Sequence, residues 1–146
     1  MTLQAHHACV YQALFSPHHP DILATCSTDG TVKIFDTREP SFVTGPNVNS
    51  FTHPLTTAAL TIPASPSEVL SIDWNKYRSF VLASGGVDKV ARVWDCRLVQ
   101  PGDVNKVGGI RETLLLGHEY AIRKLQWSPH KADLLTTASY DMTCRM

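Results

Sequence analysis

The chain has no net charge, no long apolar run and no paired cysteine motif, and each absence removes a class of function. Its 146 residues carry 13 basic and 13 acidic side chains. That balance excludes the basic excess or stripe expected of a nucleic-acid binder. No stretch approaches the ~20 apolar residues of a membrane span, and the start lacks a basic-then-apolar leader. A cytoplasmic protein without direct membrane insertion is therefore expected. The four cysteines, Cys9, Cys26, Cys96 and Cys144, form no C-x-x-C pair, so buried reduced thiols are expected. The histidines include two adjacent pairs, His6-His7 and His18-His19, and none stands at zinc-ligand spacing. No metal and no cofactor is expected.

What is present is a block that occurs three times. Phe15-Ser16-Pro17, Trp74-Asn75-Lys76 and Trp127-Ser128-Pro129 open the copies, and Asp29, Asp88 and Asp141 follow at one constant interval. Short apolar segments alternate with turn signals inside each copy. In the first, Val10–Phe15, Ile22–Ser27 and 31–35 read as strands. The prolines at 17 and 20 break the chain after the first strand. Asp29-Gly30, a pair that tolerates positive φ, turns it after the second. The second copy gives strands at 70–74, Val81–Gly86 and 90–94, and the third at Ile122–Trp127, 134–139 and 143–146. A fourth strand is expected before each new copy, at 58–62 and 113–116. Lys33, Arg92 and Arg145 recur four places after each aspartate and read as solvated charges on an outer face.

Sets of four short strands at this period describe the blades of a β-propeller, an all-β architecture. The copies are spaced more widely than the usual ~40–45 residues of a blade. The excess falls in two Pro-, Gly- and Asn-containing segments. The expected organisation is a blade at 1–36, an inserted loop at 37–57, a blade at 58–95, a loop at 96–112 and a blade at 113–146. An aromatic residue stands six after the aspartate in two copies, Phe35 and Trp94. The third copy would place it at 147, so the expectation is three blades of a longer protein. Three blades alone would leave open sheet edges prone to association.

These features resemble the WD-repeat family, whose Gly-His and Trp-Asp pairs match Gly117-His118 and Trp94-Asp95. In that family a His, a Ser/Thr, an Asp and a Trp bond together within a blade. The resemblance assigns His6, Ser27 and Asp29 to this network in the first copy, Asp88 and Trp94 in the second, and His118, Ser139 and Asp141 in the third. Phe35 replaces the tryptophan in the first copy. Ser65 and Gly86 take the His and hydroxyl places in the second. A buried aspartate needs such partners, so these residues are structural and no catalytic residue is expected.

More narrowly, the segments at 73–77, 83–89, 116–124 and 138–143 resemble the family of receptors for the type 2 peroxisomal targeting signal. That resemblance implies a seven-bladed carrier, not an enzyme. It would bind an N-terminal nonapeptide of matrix proteins that begins with a basic and an aliphatic residue. It would act with a co-receptor peroxin and peroxisomal docking proteins, shuttling between cytoplasm and peroxisome. A generic WD-repeat scaffold for protein–protein contacts is the alternative. Partners of WD-repeat proteins commonly bind one face of the propeller. By position that face holds Cys9, Tyr11 and Thr28 from the first copy, Glu68, Leu70 and Val87 from the second, and Ala121, Arg123 and Tyr140 from the third. Glu68 is expected to meet the basic signal residue; Leu70, Val87 and Tyr140 are expected to meet apolar ones. Arg123 could instead pair internally with Glu68 or Glu119, or serve the co-receptor.

Overall fold

The computed structural model describes residues 6–38, 58–97 and 106–146, and every regular element in them is a β-strand. β1 (Val10–Phe15), β2 (Ile22–Ser27), β3 (Thr31–Asp36) and β4 (Leu60–Pro63) pair antiparallel in that order, and β8 (Lys106–Val107) adds a short parallel edge to β4. β5 (Val69–Trp74), β6 (Val81–Gly86), β7 (Ala91–Asp95) and β9 (Ile110–Leu115) form the second sheet. β10 (Ile122–Trp127), β11 (Leu135–Ser139) and β12 (Cys144–Arg145) form the third. Three successive sheets of short strands answer to the three blades expected from the sequence.

The strand that precedes each new copy completes the sheet of the copy before it. β4 pairs with β3, and β9 pairs with β7. Sheet and sequence repeat are therefore offset by one strand, and the chain crosses every boundary covalently. β9 begins at Ile110, inside the segment 96–112 that the sequence reads as a loop, and Lys106–Val107 is also paired. A two-residue strand beside Gly108-Gly109 has no alternation for a pattern to detect. Of the expected loop 37–57, residues 39–57 lie outside the described residues.

Period-two alternation explains why the middle sheet is buried throughout β5 and β6. One set of its side chains, Ile72, Trp74, Leu82 and Trp94, packs with Ile22, Val32, Ile34, Leu60 and Ile62 of the first sheet. The alternate set, Val81, Ala83 and Val93, packs with Leu125, Trp127 and Leu135 of the third. A sheet covered on both faces must be apolar at both parities. The cysteines divide accordingly. Cys26 and Cys96 are buried free thiols, whose burial pushes both pKa values up to about 12. Cys9 and Cys144 are exposed, which corrects the expectation of four buried thiols.

Each copy turns its chain with the same devices. Ser16 Oγ accepts the N–H groups of His18 and His19, Asn75 Oδ1 those of Tyr77 and Arg78, and Ser128 Oγ those of His130 and Lys131. The tight turn after each second strand uses a positive φ at the residue following the aspartate: Gly30 (79°), Lys89 (70°) and Met142 (63°). Only the first copy places glycine there. Met142 is almost fully solvated, so Met142→Gly relieves backbone strain without removing packing. It is expected to stabilise the protein by about 1 kcal/mol, the side-chain cost of the left-handed region less the added freedom of the unfolded glycine, as read by urea unfolding.

Candidate functional site

The end of the sheets that carries the β2–β3, β6–β7 and β11–β12 turns is called the top. There the aspartates organise the backbone. His6 Nδ1 donates to Asp29 Oδ2 at 2.9 Å, and the Thr25 hydroxyl donates to His6 Nε2 at 2.8 Å. The hydroxyl and N–H of Thr31 donate to Asp29 Oδ1 at 2.6 and 2.9 Å. The third copy repeats this with His118, Asp141, Thr137 and Thr143, at 2.7 Å from His118 Nδ1 to Asp141 and 2.8 Å between Thr137 and His118 Nε2. The histidine's hydroxyl partner is thus Thr25 or Thr137, not Ser27 or Ser139. Those serines instead accept the N–H of Asp29 and Asp141 within the turn.

The second copy solves the same problem with other groups. Ser84, in the place of Thr25, accepts Trp94 Nε1–H at 2.8 Å. Asp88 pairs with Arg92 at 2.6 Å, and both side chains are nearly buried. Neither Ser65 nor Gly86 enters this network, and Arg92 is not the solvated charge that its position in the repeat suggested. A cation four residues on replaces the missing histidine. In the first copy the side chain of Phe35 is buried and has no N–H to offer.

Burial lowers the His6 pKa from its ordinary 6.5, against the opposing pull of Asp29. For Asp29, burial alone would raise the carboxyl; the hydrogen bonds from Thr31 and His6 outweigh it and bring it down to about 2. Asp141 is lowered in the same way by Thr143, His118 and Glu119 N–H.

Hydrogen bonds also cross between sheets. Gln12 Oε1 accepts the Ser71 hydroxyl and Ile72 N–H, each at 3.1 Å, and Ser71 Oγ accepts Leu125 N–H at 3.3 Å. Asp73 Oδ2 accepts Trp127 N–H at 2.8 Å, while Lys76 holds its other oxygen at 2.8 Å. Trp74 Nε1–H reaches the Leu14 carbonyl at 3.3 Å.

On this frame the candidate face is assembled by one backbone bond per copy. Thr28 N–H donates to Cys9 O at 3.0 Å, Val87 N–H to Glu68 O at 3.0 Å and Tyr140 N–H to Ala121 O at 3.1 Å. The innermost strands β1, β5 and β10 carry a bulge at one common place, so Tyr11, Leu70 and Arg123 each lack a residue opposite. Tyr11, Val87, Arg123 and Tyr140 are exposed, while Thr28 and Glu68 are half-buried. Leu70 is only 9% exposed, against the expectation of a surface residue, because β5 belongs to the sheet that is covered on both sides. Arg123 makes no ion pair with Glu68 or Glu119 among the described residues.

The Tyr11 hydroxyl donates to Glu68 Oε2 at 2.8 Å, joining the first and second sheets across the top. This bond raises the Tyr11 pKa above its ordinary 10.0. Two further residues of this face went unread in the sequence: Lys89 Nζ lies 5.9 Å from the ring centre of Tyr120, a cation–π pair between the second and third copies. The signal was available in their positions, Lys89 in the turn after Asp88 and Tyr120 two residues after His118.

The family described as "WD domain, G-beta repeat" matches residues 1–36, 56–95 and 110–146. The chain is 40% identical to the peroxisomal targeting signal 2 receptor of Saccharomyces cerevisiae, over 94% of this chain and 36% of that protein. It is 44% identical to the protein of the same name from Komagataella phaffii, over 94% of this chain and 33% of that one. It is also 29% identical to histone acetyltransferase type B subunit 2 of Aspergillus fumigatus, over 97% of this chain and 30% of that one. The chain thus spans about a third of the length of the curated relatives it matches.

Two outcomes follow from the network. His6 is held neutral, so the unfolded chain takes up a proton first and stability falls as pH drops through 6.5. The Asp29 contribution, present above its ordinary 3.8, is then lost as pH falls toward about 2. Urea unfolding at constant ionic strength between pH 8 and 2 is expected to show both losses, with the first absent in His6→Gln. Separately, Ser84→Ala leaves the buried Trp94 N–H without an acceptor and is expected to cost about 1–3 kcal/mol, measured by the same unfolding.

Proposed function

The chain belongs to the WD-repeat family, and on that premise we propose that it supplies the cargo-binding blades of a soluble receptor for type 2 peroxisomal targeting signals. The function is binding, not catalysis. The observation that carries this reading is the top face itself. A carboxylate, Glu68, stands beside Tyr11 and Val87, and the exposed Tyr140 belongs to the matching turn of the next sheet, so a peptide with a basic start and an apolar stripe finds complementary groups. A charge-assisted hydrogen bond to Glu68 fixes the basic end, because ionised partners bind more strongly than neutral ones. Val87 and Tyr140 take the apolar side of the signal in the helix-in-groove manner.

The names of the yeast relatives support the same reading, since both are receptors for this signal. In the complete protein these three blades stand within a seven-bladed ring that works with a co-receptor peroxin and peroxisomal docking proteins. It moves between cytoplasm and peroxisome. Thr28 and Arg123 complete the face at its two ends. The His–Asp pairs play no chemical part: each histidine is fully engaged by its aspartate and threonine, and they hold the turns.

Fluorescence anisotropy tests the proposal. A type 2 nonapeptide is titrated against this chain and against the longest product of its reading frame, with a control peptide whose first basic residue is Glu. Binding of the native peptide and loss of at least tenfold with the control are expected. Glu68→Lys is expected to reproduce that loss without unfolding the protein, as checked by circular dichroism. A folded protein that ignores both peptides returns the chain to a general WD-repeat scaffold.

A further inference from the structure

We propose that Tyr11 is the positioning residue for Glu68 and sets how strongly this face selects a basic side chain; the inference rests on the reading of the top face given above. Three observations converge on the pair. Tyr11 occupies the bulge of β1, where no residue of β2 stands opposite, and its hydroxyl crosses to the second sheet to reach Glu68 Oε2 at 2.8 Å. Glu68 itself lies on the connection between β4 and β5, where the chain passes from one sheet to the next.

The second copy differs from the others at the residue that faces the Glu68 backbone. Where the first and third copies have Ser27 and Ser139, the second has Gly86. A Cβ at Gly86 would stand 2.0 Å from the Glu68 carbonyl oxygen. That carbonyl accepts Val87 N–H at 3.0 Å. As the backbone passes Gly86 here, there is no room for the serine that the other copies carry.

The chemistry of the donor matters. An arginine or lysine in the place of Tyr11 would also fix the carboxylate, but would cancel its charge. A phenol donates one neutral hydrogen bond. It removes rotamer freedom from the glutamate before a ligand arrives and leaves the negative charge in place. No cation pairs with Glu68 among the described residues. Preorganisation of this kind lowers the ordering cost of binding, and only for a ligand that uses the carboxylate. The ligand group so selected is an ammonium or guanidinium.

The test has two arms, both on the longest product of the reading frame. In the first, the tyrosine titration is followed in the wild type and in Glu68→Gln. The Tyr11 pKa is expected to lie above 10.0 and to fall back in the variant; a titration indifferent to Glu68 overturns the proposal. In the second, Tyr11→Phe and wild type are titrated with the native nonapeptide and with one whose basic residue is Gln. Tyr11→Phe is expected to weaken the native peptide about fivefold, roughly one hydrogen bond's worth, and to leave the Gln peptide unchanged. In a Glu68→Gln background it is expected to change neither. Equal weakening of both peptides means a structural role and overturns the proposal, as does no weakening of either. If the wild type binds neither peptide while the titration shift is present, the receptor reading falls, and the role of Tyr11 in selecting a ligand falls with it.

Discussion

A carboxylate removed from water must be given donors, and that requirement organises the top of every blade. Asp29 and Asp141 each gather a histidine ring, a threonine hydroxyl and backbone N–H groups. The groups gathered come from the loop before the first strand and from the turn after the second, the two segments that carry the candidate ligand-binding residues. Without the aspartate these segments would have no common anchor. Asp88 meets the same requirement with Arg92, which shows that the demand is for compensation of buried charge rather than for a particular partner.

Strand pairing operates within a sheet, whereas the position of one sheet against the next depends on interdigitated side chains and a few directed bonds. Gln12, Ser71 and Asp73 provide these between the innermost strands. Each is a buried or half-buried polar group satisfied by a neighbouring blade, so a shift in blade register would orphan it. The apolar clusters on either side of the middle sheet supply bulk attraction, and the polar contacts select one alignment among several that apolar packing alone would tolerate. Tyr11 and Glu68 sit at the upper end of the first such boundary, and their geometry inherits that alignment.

Much of this was legible in the sequence, and the failures have specific causes. Alternation and turn residues located the inner three strands of each copy because Pro17, Gly30 and the aspartates interrupt clear apolar runs. The choice of Ser27 over Thr25 as the histidine's partner failed because residues two apart share one face of a strand, so parity does not separate them. Arg92 read as solvated because a recurring charge resembles a surface feature, and only the absence of a histidine in that copy hinted otherwise. Leu70 was placed on the surface from its position in the repeat, yet the bulge position is exposed in the outer sheets and covered in the middle one. The pairing of Tyr11 with Glu68 joins residues far apart in the chain and has no local signature at all.

The offset between sheet and repeat also governs where the molecule can change. The chain leaves β3 at Asp36 and returns at β4, and it leaves β7 at Asp95 and returns at β9, so both long segments enter and leave at the end opposite the Asp29 and Asp88 turns. Strands three and four of both sheets are thus joined from the end opposite the bulges and the aspartate turns. A change in either joining segment therefore reaches the aspartate turns only through the length of β3 and β4 or of β7 and β9.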